Sequence, residues 1–68
     1  MEITATLFVL RGTTRSSMAA ASIEDAVRVA ADGEESGDFK AVEITDWSGR
    51  RLDENAVREA INGYRGSH

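Results

Sequence analysis

The sequence predicts an α+β fold: a small antiparallel sheet carrying two helices, in the order β-β-α-β-(β)-α. Three observations lead there. Residues 2–10 are rich in β-branched and aromatic types. Residues 22–33 carry an apolar helical stripe between a start and a stop signal. Residues 53–64 repeat that pattern, with Val57, Ala60, Ile61 and Tyr64 at i, i+3, i+4 and i+7 behind a capping Asp53.

In chain order, the first strand places Ile3, Ala5, Leu7 and Val9 on one face and Thr4, Thr6, Phe8 and Leu10 on the other. The second face becomes apolar only at its end, which suits a central strand. Either the second helix covers Phe8 and Leu10, or they form a dimer surface. Arg11-Gly12-Thr13-Thr14 supplies a turn, because glycine takes positive φ without steric cost. Residues 15–21 read as a returning strand with Met18 and Ala20 inward. An early helix through the three alanines is the competing reading, and it would waste the cap at Ser22.

The first helix begins at Ser22, whose hydroxyl can accept from a first-turn amide while Asp25 answers as its box partner. Glu24 and Asp25 sit at the positive end of the helix dipole. Ile23, Val27, Ala30 and Ala31 form the stripe, and Gly33 is the expected left-handed stop. Residues 32–38, with four acids and two glycines, read as a solvated loop. A strand over 39–46 follows, with Val42 and Ile44 on one face and Ala41, Glu43 and Thr45 on the other. Asp46-Trp47-Ser48-Gly49 has the residues of a tight turn, and 50–52 can form a short return strand.

Alternating directions give the sheet order 2-1-3 with both helices on one face. That order puts the acidic loop at the same end as Arg11 and Arg15, and Arg50 and Arg51 at the other. Residues 1–68 allow one domain, with residues 65–68 a fraying tail.

Composition narrows the function classes. A chain this short buries only about 60% of its unfolded surface, so a homodimer that shares the core is plausible. No cysteine is present, which excludes disulfides and thiolate metal sites and suits a reducing, cytoplasmic setting. No apolar run approaches the ~20 residues of a membrane span, and the basic start of a signal peptide is absent, so no membrane role is expected. The net charge of −4 argues against DNA or anionic membrane as partner.

No catalytic constellation is visible. The single histidine is His68 at the chain end, and Ser16 or Ser17 would have only the lone Lys40 as a base. Asp32, Glu34, Glu35 and Asp38 do not follow the EF-hand spacing, and isolated glycines make no phosphate loop, so neither metal nor cofactor is expected. The side chains available for partners lie at the turns. Trp47 with Arg50 and Arg51 is the first-choice contact patch, because Trp and Arg are over-represented at interface hot spots. The alternative is that Trp47 folds over the edge of a small core. Arg11 and Arg15, with Glu34, Glu35 and Asp38, make a second group at the opposite end. A nucleic-acid accessory role through Arg11, Arg15, Arg50 and Arg51 is the competing function, although no continuous basic stripe joins them.

The run Ala20-Ala21-Ser22-Ile23-Glu24-Asp25-Ala26-Val27-Arg28-Val29-Ala30 carries a resemblance. A Ser-capped helix of the type Ala-Ser-x-x-x-Ala-x-x-x-Ala, entered from a strand after an N-terminal hairpin, is similar to small phage and mobile-element proteins, anti-CRISPR inhibitors among them. The similarity covers residues 1–46 and leaves out the second helix. It implies a non-enzymatic inhibitor that binds a host nucleoprotein complex, through acids mimicking phosphates or through a basic face. No functional residue carries over from it.

Overall fold

The computed structural model describes residues 5–66. Strands β1 (Ala5–Arg11) and β2 (Thr14–Ala20) form a hairpin, followed by α1 (Ile23–Glu35), β3 (Lys40–Asp46), β4 (Arg51–Leu52) and α2 (Glu54–Gly66). The sheet order is β2-β1-β3-β4, antiparallel throughout, so the predicted 2-1-3 core is present with the short return strand added beside β3. Residues 2–4 of the predicted first strand, and His68, lie outside the described residues.

Both helices lie on the sheet face that carries Ala5, Leu7 and Val9. Leu7, Val9, Ile44, Val57 and Ile61 are the largest fully buried side chains, each worth about 1.5–3 kcal/mol on burial. Alanines at 26, 30 and 31 on α1, with Ala5 and Ala41 below, let helix and sheet approach closely. Phe8 and Leu10 lie on the other face, where neither helix covers them; the Arg15 guanidinium sits 5.5 Å from the centre of the Phe8 ring.

Both helix starts form as the sequence predicts. Ser22 Oγ accepts from the Asp25 amide at 3.1 Å, and Asp53 Oδ1 accepts from the Ala56 amide at 2.9 Å. The return bond of the first cap reaches one residue further back, from the Ala21 amide to Asp25 Oδ2.

The end of α1 differs from the sequence expectation. The helix runs through Gly33 to Glu35, and the left-handed residue is Gly37, with φ of 76°. Gly33 is glycine for another reason: a Cβ there would overlap the Phe39 ring, which lies flush against the helix backbone. The start of the predicted acidic loop is therefore a last helical turn.

The facing of β3 also differs. Ala41 and Ile44 are the buried pair, both at 0% exposure, whereas Val42 is only half-buried. The register explains it: Val9 pairs with Ala41 but Phe8 with Glu43, so Val42 is an inserted bulge residue. One extra residue breaks the alternation and returns Ile44 to the core face.

Candidate functional site: the Trp47 loop and the clefts beside it

The chain between β3 and β4 is held by one side chain. Asp46 Oδ1 accepts from the Ser48 amide at 3.0 Å, the Ser48 hydroxyl at 2.7 Å and the Arg50 amide at 2.9 Å. The Asp46 backbone closes the loop, donating to the Arg50 carbonyl at 3.0 Å and accepting from the Gly49 amide at 3.2 Å. Gly49, with φ of 91°, supplies the left-handed position that a three-residue hairpin loop needs. The Ser48 hydroxyl above all, with the Arg50 and Ser48 amides, holds the Asp46 carboxyl below its ordinary pKa. The turn forms where the sequence places it, and it fixes what it carries.

What it carries is Trp47, 80% exposed and the one large hydrophobic side chain that is exposed among the described residues. Of the two sequence readings for this residue, the indole does not fold over the core. A cleft of about 310 Å³ lies beside it, lined by Ser22, Ile23, Glu24, Asp46, Trp47 and Arg50. A second, more apolar cleft of about 340 Å³ shares Ile23, Glu24 and Arg50 and extends between the helices over Val27, Leu52 and Ala60. Arg50 borders both clefts. Arg51, the other member of the predicted patch, instead pairs with Glu43 at 3.0 Å.

The other predicted residues divide at the opposite end of the sheet. Arg11 reaches Asp38 at 3.5 Å and lies over Phe39 at 5.7 Å, so the acidic segment and the hairpin turn meet as expected. Arg15 covers Phe8, and Glu35 is exposed. The arginines therefore fall in separate places, Arg11 and Arg51 each beside an acid, and form no single basic surface.

Glu34 has a different role from its predicted neighbours. Its carboxylate receives both terminal nitrogens of Arg58 on α2, one at 2.6 Å, together with the Ala41 amide at 2.9 Å. Arg58 also donates to the Ala41 carbonyl at 3.1 Å, so this pair clamps α1, α2 and the bulged strand together. Burial pushes the Glu34 carboxyl up, but the bonds from Arg58 and Ala41 outweigh it and hold the group below its ordinary pKa. Sequence reasoning passed over Arg58; the available signal was a basic residue on the helix face next to buried Val57 and Ile61.

Among the described residues, no group of three or more His, Cys, Asp or Glu side chains could hold a metal ion. No described helix is long and apolar enough to cross a membrane. Comparison with family models, with curated proteins and with solved structures returned no match.

Proposed function

We propose that this chain is a small non-catalytic protein-binding module whose contact surface is the Trp47 loop with the adjoining clefts. The observation that carries the proposal is a large indole 80% exposed on a loop that five hydrogen bonds from and to Asp46 hold in shape. An exposed tryptophan is costly to solubility, and one carried on a pre-ordered backbone loses less conformational entropy on docking, which is what a binding hot spot requires. Arg50 between the two clefts adds a cation at the rim. The more specific form of the proposal is an inhibitor of a host nucleoprotein complex, which rests on the resemblance of residues 1–46.

Immobilised protein and its Trp47→Ala variant, offered the same cell extract, test the reading. The wild-type chain should retain a partner in stoichiometric amount that the variant loses, with unchanged circular dichroism. A partner held equally by both would show that the contact lies elsewhere. Nuclease treatment of the extract decides the specific form, since an inhibitor of a nucleoprotein complex should co-purify nucleic acid through that partner.

A further inference from the structure

The two edges of the sheet are unlike. On one side β4 contributes two residues; on the other β2 offers seven, Thr14–Ala20, in unbroken register with β1. Natural sheets blunt such edges with short strands, prolines, lysines, bulges or a covering element. β2 has no proline, no lysine and no bulge, and its one charge is Arg15. Helix α1 covers the margin of β2 only in part, leaving Met18 half-exposed.

The hairpin geometry says which backbone groups are free. The two-residue Gly12-Thr13 turn closes on the Arg11–Thr14 pair, and the hydrogen-bonded pairs then recur at Val9–Ser16, Leu7–Met18 and Ala5–Ala20. The amides and carbonyls of Arg15, Ser17 and Ala19 therefore point away from β1. Among the described residues they form a ready ladder with no partner strand.

We propose that the occupant of this edge is a second copy of the chain, pairing β2 with β2 antiparallel about a two-fold axis at Ser17. The axis position follows from charge and length. Centred on Ser17, each Arg15 faces Ala19 of the second copy. Centred on Arg15, two guanidinium groups would stand opposite each other, which is unfavourable. Centred on Ala19, the ladder shrinks to a few residues and meets the start of α1 at Ile23. The Ser17 register also sets Met18 against Ser16 of the second copy, covering the half-exposed thioether. Arg15 leaves the edge clear, since its guanidinium already lies over Phe8 on the outer sheet face. The product is one continuous sheet built from both copies, and a chain of 68 residues gains shared burial. Trp47 lies at the β3–β4 turn, beyond the opposite edge, so this interface and the Trp47 reading stand or fall separately.

Sedimentation equilibrium over a concentration series should give twice 7.4 kDa for the wild-type chain. Ser17→Lys places two ammonium groups across the axis and should weaken the dimer on the order of tenfold, with salt reversing part of the loss. Because the chain has no cysteine, Ser17→Cys can form only an intermolecular disulfide. That disulfide should form readily across the axis, while Arg15→Cys, about 14 Å from its counterpart in this register, should not form one. A mass of 7.4 kDa at every concentration would overturn the proposal, including the case where an extended segment of another protein uses this edge. So would a dimer indifferent to Ser17→Lys. If that variant fails to fold, the two cysteine variants carry the test, and equal cross-linking by both would overturn the register.

Discussion

Two residues have chemistry that their sequence context disguises. Glu34 sits in an acidic run, yet its side chain is 11% exposed and gripped by Arg58. Removing the guanidinium in Arg58→Ala leaves that largely buried carboxylate without its counter-ion. The loss should be about 2 kcal/mol, less than for a fully buried pair because the Arg58 side chain is about one-third exposed. Chemical denaturation measures it. A carboxyl whose folded-state pKa is depressed contributes stability that is complete above its ordinary value near 4.5 and fades as the pH falls through the folded value. The stability gap between wild type and Glu34→Gln should therefore be widest near neutral pH and narrow in acid. Gly33 is the second case. Alanine is the better helix former by about 1 kcal/mol, but its Cβ would displace the Phe39 ring. Gly33→Ala should thus destabilise the wild-type chain by about 1 kcal/mol and stabilise a Phe39→Ala chain by a similar amount. A double-mutant cycle in thermal unfolding reads that reversal of sign.

At the level of elements, what was legible depended on whether the signal is local. The caps at Ser22 and Asp53, the Asp46 turn and the β2 strand each rest on residues within a few positions of one another, and all stand as read. The end of α1 and the facing of β3 did not, because both are decided by remote partners. Gly33 has the residue type of a helix stop, and only Phe39 shows that it serves close packing. The bulge at Val42 leaves no mark in the sequence: Lys40-Ala41-Val42-Glu43-Ile44 is compatible with strict alternation, and pairing with β1 breaks it. The two readings of β3 make opposite forecasts. Under strict alternation Ala41 would accept a large side chain and Val42 would not. In the observed register Ala41→Leu overpacks the core and should cost about 1–3 kcal/mol, while Val42→Thr should stay within about 0.5 kcal/mol. Urea midpoints with unchanged slopes would distinguish them.

For the whole molecule, the sheet order and the two helices on one face followed from alternating chain directions, and so did the meeting of Arg11 with Asp38. The candidate site was half legible. Composition singled out Trp47 and Arg50, but whether the indole would pack inward depended on the Asp46 bonds that set the loop. Arg58 and the clamp it forms became visible only once α1, α2 and β3 were in place together. Because Trp47 touches so little of the core, Trp47→Ala should leave the folding free energy within about 0.5 kcal/mol of wild type. Differential scanning calorimetry checks this, and it is what makes Trp47→Ala a clean probe of partner contact.

The same placement gives the molecule an unusual optical character. Its single tryptophan is almost as wet in the folded chain as in an unfolded one. Intrinsic fluorescence should therefore be nearly blind to denaturation, the event it is usually recruited to follow. It should respond instead when something dry settles on the loop, so a blue shift on titration would report a docked partner with no label attached.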